Sequence, residues 1–298
     1  MEGFIGSGVA LVTPFTHDGI NQKVLGDLIE WQIEQQTDAL IVGGTTGEAS
    51  TMTQQERKDL ITYTVEKVAH RIPVIAGSGG NDTESVIAFS QFCESAGVDM
   101  LLIVTPYYNK TTQRGLIEHY TRIANSVQLP IILYNVPSRT GLSMSVETVY
   151  VLSKIKNIVG IKEASGDLSY IAAIASRCGE GFYIYSGNDD QIIPTLSLGG
   201  KGAISATANL LPSDIHNMMH TFWSGDIQTS AHMQLKLKPL VDALFYEVNP
   251  IPIKAALQVL GVEVGDVRLP LVPLSDEGYQ VLVQAIHTYG LTCAQMTV

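Results

Sequence analysis

At 298 residues, 45% of them hydrophobic and only 16% charged, the chain can build one large domain or two small ones around a substantial core and is too apolar to be disordered. A net charge of −11 argues against nucleic acid or an anionic membrane as partner, and no apolar run approaches the length of a bilayer-spanning helix. Cys93, Cys178 and Cys293 are odd in number, widely spaced and without a Cys-x-x-Cys pair. With no signal-peptide pattern at Met1-Glu2-Gly3-Phe4, that usage predicts a soluble, cytoplasmic protein.

Strand-like runs alternate with amphipathic segments almost from the start. Gly8 to Val12 is short, apolar and ends at Thr13-Pro14; Leu25, Leu28, Ile29 and Ile33 then recur at helical spacing. Ala39 to Val42 is the next strand, followed by Gly43-Gly44-Thr45-Thr46-Gly47-Glu48. Thr53 with Glu56 three residues on is a capping box, which starts a helix running to about Ala69. Pro73 to Ala76 repeats the strand, Gly77-Ser78-Gly79-Gly80 the loop, and Asp82 opens the next helix.

Met100 to Val104 ends in Thr105-Pro106-Tyr107-Tyr108-Asn109, and a helix spans Gln113 to about Ser126. Ile131 to Leu133 leads into Tyr134-Asn135-Val136-Pro137-Ser138-Arg139, with a helix from Ser145. Ile158 to Lys162 is the sixth strand, with a helix from Leu168 behind it. Phe182 to Tyr185 ends in Ser186-Gly187-Asn188-Asp189-Asp190, and Ala203-Ile204-Ser205 is the last strand. From about Gly225 there is no strand signal, only helical pattern punctuated by Pro250 and Pro252. The last six residues, Cys293 to Val298, read as a frayed tail.

Short continuous apolar strands suit a parallel sheet buried on both faces. A doubly wound sheet gives the same alternation, but eight similar units without a composition break favour closure. The expectation is an α/β chain with a (β/α)8 TIM barrel over residues 1–224 and a C-terminal helical region over 225–298. Such barrels carry their active sites at the C-terminal ends of the strands, so polar residues there are the ones to weigh.

Lys162 stands at one such end. An ammonium is costly to hold beside apolar walls, and a free amine can attack a ketone to form a Schiff base. Read alone, Lys162 is more readily a strand-end lysine in solvent. Tyr134 and Arg139 flank a turn after the neighbouring strand, where a phenol can move protons and a guanidinium can hold a carboxylate. The Gly43–Glu48 loop can cradle a carboxylate or be an ordinary turn before a capped helix; it is no Walker loop. Tyr107 and Tyr108 line a site or enter a partner subunit. Gly77-Ser78-Gly79-Gly80 lacks the third glycine of a dinucleotide fingerprint. His216 and His220 share a helix face, but Asn217 stands where a zinc protease needs glutamate, so they read as packing or surface residues, with no metal.

Taken together, Gly43 to Glu48, Thr105 to Asn109, Tyr134 to Gly141, Gly160 to Gly166 and Asn249-Pro250-Ile251-Pro252-Ile253-Lys254 resemble the dihydrodipicolinate synthase family. That family belongs to the pyruvate-dependent class I aldolase and N-acetylneuraminate lyase superfamily, and the likeness covers nearly the whole chain. The resemblance implies that Lys162 forms a Schiff base with pyruvate, with Tyr134, Thr46 and Tyr108 as a proton relay and Tyr108 supplied by the neighbouring subunit. It implies that Arg139 binds the carboxylate of aspartate 4-semialdehyde, that Thr45 and Gly187 contact substrate carboxylates, and that the Ile204 carbonyl lies beside the site. It further implies no metal or organic cofactor, a homotetramer built from tight dimers, and a place in lysine and diaminopimelate biosynthesis.

The family's lysine-binding allosteric positions match Ala49, Ser50, Gln54, Arg57, Asn81, Ser85 and Tyr107. Here the chain departs from the feedback-inhibited pattern: Gln54 and Arg57 replace histidines, and Ser85 replaces the glutamate that pairs with the effector's amine. Weak or absent lysine inhibition is expected. The nearest rival reading is an N-acetylneuraminate lyase or keto-deoxy-sugar acid aldolase on the same barrel. The rival from another class is a barrel that binds a metabolite without catalysis, and a metal-dependent aldolase is less favoured still.

Overall fold

In the computed structural model, which describes residues 2–292, eight apolar runs become parallel strands that close on themselves. They are β1 (Gly6–Ala10), β2 (Ala39–Val42), β3 (Val74–Gly77), β4 (Met100–Val104), β5 (Ile131–Asn135), β6 (Ile158–Glu163), β7 (Tyr183–Ser186) and β8 (Gly202–Ser205). Each pairs with its sequence neighbours, and β1 pairs with β8 to close the barrel. Cys293 and the rest of the terminal segment expected to fray lie outside the described residues.

The continuous apolar runs follow from two cores sharing each strand. Ile41, Ile75, Ile132 and Ile204 fill the barrel interior. Leu40, Val42, Leu133 and Ile161 point outward into the larger core beneath the helices. A strand buried on both faces shows no alternation, which is why it reads as a run and not as a two-residue period.

The outer layer holds α1 (Gln22–Glu34), α2 (Gln54–Val68), α3 (Thr83–Ala96), α4 (Gln113–Ser126), α5 (Val146–Leu152), α6 (Leu168–Cys178), α7 (Ile192–Ser197) and α8 (Pro212–Trp223). The capping box that starts α2 is formed: Thr53 Oγ1 accepts from the Glu56 N–H at 3.2 Å, and Glu56 Oε2 accepts from the Thr53 N–H at 2.8 Å. Asp82 and Ser145 cap α3 and α5 with the first half of that arrangement, accepting from the Ser85 and Thr148 N–H groups.

Three features depart from the sequence pattern. β1 begins at Gly6 and ends two residues before Val12, because the Val12 N–H donates to Asn209 Oδ1 instead of the ladder. A two-stranded hairpin, Phe15–Thr16 with Gly19–Ile20, follows it and is too short to have a period. A turn of helix, Pro137–Thr140, stands between β5 and α5.

Beyond the barrel come α9 (Ile227–Leu244), α10 (Ile251–Val259) and α11 (Asp276–Tyr289). Leu240, Leu244, Ile253 and Leu257 of these helices join the same buried cluster as the barrel helices. Among the described residues no helix is long and apolar enough to cross a membrane.

Candidate active site

Strand register places Lys162 of β6 directly beside Tyr134 of β5 and Tyr185 of β7. All three side chains lie on the barrel's inner face. Tyr185 is fully buried, stacks on Phe4 at 4.5 Å and donates its hydroxyl to the Phe4 carbonyl, which makes a floor beneath the lysine. Lys162 is only 7% exposed, and its Nζ lies 4.6 Å from the centroid of the Tyr134 ring. No carboxylate of the described residues forms an ion pair with it.

Room above the lysine comes from a glycine. A Cβ at Gly187 would fall 3.1 Å from Lys162 Cε and 2.7 Å from Ala164 Cβ. Ile204, also predicted at the site, is buried on the inner face of β8. Glu163 faces the other way, as strand alternation requires, and accepts from Asn135 Nδ2 at 2.8 Å and from the Ser165 N–H. Burial raises its pKa above the usual glutamate value, against the opposing effect of those hydrogen bonds.

A cavity of about 480 Å³ opens over this end of the barrel, lined by Gly44, Thr45, Tyr134 and Arg139 among others. Thr46 lies just behind its wall, buried, and its Oγ1 accepts a 3.0 Å hydrogen bond from Asn249 Nδ2. Arg139, on the Pro137–Thr140 turn, donates from Nη2 to the Asn249 carbonyl at 3.1 Å. Asn249 therefore touches both a predicted relay residue and the predicted carboxylate binder. In sequence it was only one letter of a motif some 200 residues downstream of Thr46.

The loop carrying Thr45 and Thr46 is fixed from below by a second contact the sequence did not disclose. Glu48 is buried, with φ at +55°, and takes Lys254 Nζ at 2.9 Å and the Arg268 N–H at 2.8 Å. Burial lowers the Lys254 pKa and Glu48 opposes the shift. Of the two buried lysines, Lys254 is held by a carboxylate and Lys162 is not.

The remaining predicted residues divide. Tyr108 is 92% exposed with φ at +71°, and is not part of the lining of its own chain's cavity. Ala49, Ser50, Arg57 and Tyr107 line the same cavity as Thr45 and Tyr134, so within one chain these positions expected to be allosteric and those expected at the substrate site form one continuous space. Asn81 holds that rim by donating to the Tyr107 carbonyl at 3.2 Å. Gln54 and Ser85 are exposed and not part of the lining; the Ser85 N–H completes the cap of α3. The Arg57 guanidinium sits 4.0 Å over the Phe89 ring and donates to the Gly77 carbonyl.

Comparison with known proteins matches the chain over nearly its whole length. The model of the dihydrodipicolinate synthetase family matches residues 3–289. A curated relative from a Thermoanaerobacter species, called 4-hydroxy-tetrahydrodipicolinate synthase, is 56% identical over 98% of both chains. The crystal structure of dihydrodipicolinate synthase from Aquifex aeolicus superposes with a TM-score of 0.95 at 41% identity, covering 97% of this chain and 99% of that one. The Acinetobacter baumannii enzyme, complexed with pyruvate, gives the same score and identity over 97% and 100%.

Proposed function

Because the chain belongs to the dihydrodipicolinate synthetase family, we propose that it condenses pyruvate with L-aspartate 4-semialdehyde through a Schiff base on Lys162. The reading rests above all on an unpaired, buried lysine in register with a tyrosine at the C-terminal end of a barrel strand.

The amine of Lys162 adds to the pyruvate ketone, and loss of water from the carbinolamine leaves an iminium that acidifies the methyl group. Removal of a methyl proton gives an enamine, whose carbon attacks the aldehyde and turns its oxygen into a hydroxyl. The semialdehyde's own amine then attacks the imine carbon, closes the ring and releases Lys162. The sum is pyruvate plus semialdehyde giving 4-hydroxy-tetrahydrodipicolinate and one water.

Each stage moves a proton, which suits a relay of Tyr134, Thr46 and a Tyr108 from the neighbouring subunit over a single base. Arg139 holds the semialdehyde carboxylate, and Thr45, Gly187 and the Ile204 carbonyl line the pyruvate end. No metal or organic cofactor has a part in the scheme. The enzyme acts as a homotetramer in the cytoplasm, in lysine and diaminopimelate biosynthesis.

Borohydride reduction in the presence of pyruvate tests the central step. A covalent adduct at Lys162 is expected by peptide mass spectrometry, and none in Lys162→Ala; the same adduct in the variant would sink the assignment. Steady-state turnover of pyruvate with aspartate 4-semialdehyde, against pyruvate with N-acetylmannosamine, tests the substrate. Turnover of the sugar alone would transfer the chain to the lyase branch.

A further inference from the structure

At the opposite end of the barrel from Lys162, Asp38, His216 and His220 each bring one donor atom to within 4.8 Å of the others. The histidines are one turn apart on α8, which lies against β1. Asp38 immediately precedes β2 and is 178 residues away in sequence from His216. That distance hid the third group from a reading of the helix alone.

The carboxylate is held in advance. Asp38 Oδ2 accepts from the Ser7 N–H at 2.7 Å. It also occupies space that only a glycine leaves free, since a Cβ at Gly6 (φ +117°) would fall 2.1 Å from it. His216 Nδ1 lies 3.0 Å from the same oxygen, a separation that suits a hydrogen bond and equally suits two neighbouring ligands about 2.0–2.2 Å from one metal ion. The His220 ring stacks on that of His216 with centroids 4.0 Å apart, and His220 is exposed, so it can turn to complete a set while water fills the remaining positions. Two imidazoles and a carboxylate suit late first-row divalent ions such as Zn²⁺ or Ni²⁺ better than Mg²⁺ or Ca²⁺.

We propose that Asp38, His216 and His220 bind one late first-row divalent metal ion, which clamps α8 to the entry of β2 and takes no part in the condensation. The hydrogen-bonded Asp38 acts as the fixed ligand and His220 as the closing one.

Trp223 supplies a built-in reporter, because its ring meets that of His220 edge-on at 5.5 Å. Nickel titration of the tag-free chain, followed by tryptophan fluorescence and by equilibrium dialysis, should show saturable quenching with about one equivalent bound. Loss of a ligand costs no less than loss of an outer-shell partner, so His220→Ala should weaken binding by about tenfold or more. His216→Ala/His220→Ala should abolish it. His220→Ala is an exposed substitution, and its unchanged condensation activity would serve as the control for folding. Quenching of the same affinity in the His220→Ala and wild-type chains, or no stoichiometric binding by the wild type at submillimolar nickel, would overturn the proposal and leave Asp38–His216 as a hydrogen-bonded tie alone.

Discussion

Burying a cation is expensive unless something opposite it is buried too, and this chain does so both ways. Both lysines lie over an aromatic ring, but Lys254 has Glu48 as a counter-charge, so its place is structural, and Lys162 has none. Asn249 is the residue that most directly joins fold to chemistry, since one side chain and one carbonyl orient Thr46 and Arg139. Asn249→Ala should lower kcat about tenfold, the worth of one buried hydrogen bond, while the borohydride-trapped pyruvate adduct still forms. Loss of the adduct would mean that Asn249 serves imine formation instead. His119 belongs to stability. It is buried, its Nδ1 meets Thr83 Oγ1 at 2.9 Å, and burial pushes its pKa from 6.5 down to about 4. The folded state thus binds fewer protons than the unfolded one between those values. Its contribution is complete above pH 6.5 and is lost as pH falls towards 4, about 2 kcal/mol by pH 5. Urea midpoints at pH 7 and pH 5 should therefore differ less in His119→Gln than in the wild type.

Besides Asn249, the C-terminal region meets the expected site through the Gly43–Glu48 loop and one pair of buried charges. The Gly43–Glu48 segment leaves β2 with glycines that let loops abut: a Cβ at Gly77 would fall 2.2 Å from the Gly43 carbonyl. Glu48 then anchors the segment to α10 and to Arg268, whose guanidinium also reaches Glu56 of α2. Lys254→Met leaves Glu48 buried and uncompensated, which should destabilise the chain by about 3–5 kcal/mol. Adding Glu48→Gln should recover much of that loss, read as a double-mutant cycle in denaturant. A full loss in both variants would show that packing, not charge, holds the loop. The hydrogen bond from Arg268 draws Glu56 down to about 2, so this tie persists above pH 4.5 and fades as pH falls from there towards 2.

For the molecule as a whole, the continuous cavity bears on the expected weakness of lysine inhibition. Lysine bound among Ala49, Ser50 and Tyr107 would bring its ammonium to a rim already carrying the Arg57 guanidinium, and Ser85 offers no opposing charge. Little or no inhibition is expected at millimolar lysine in a steady-state assay; inhibition at micromolar lysine would show that another group supplies the counter-charge. The exposed Tyr108 and half-exposed Tyr107 are the surface on which assembly should be sought, by sedimentation of the wild type against a Tyr107→Ser chain.

Sequence alone determined the barrel, because burial on two faces writes the strands as apolar runs, and capping residues such as Thr53, Asp82 and Ser145 mark helix starts, both local signals. It also placed Lys162 and Tyr134 side by side, since consecutive strands of a parallel barrel are neighbours. Tertiary structure alone decided the contacts between distant segments: Asn249 on Thr46, Lys254 on Glu48, Asp38 on His216. Those pairs depend on how far the barrel tilts before it closes and on where the final helices dock. Neither leaves a periodic trace in the chain, so a paired lysine and an unpaired one look the same until the fold brings a carboxylate to one of them.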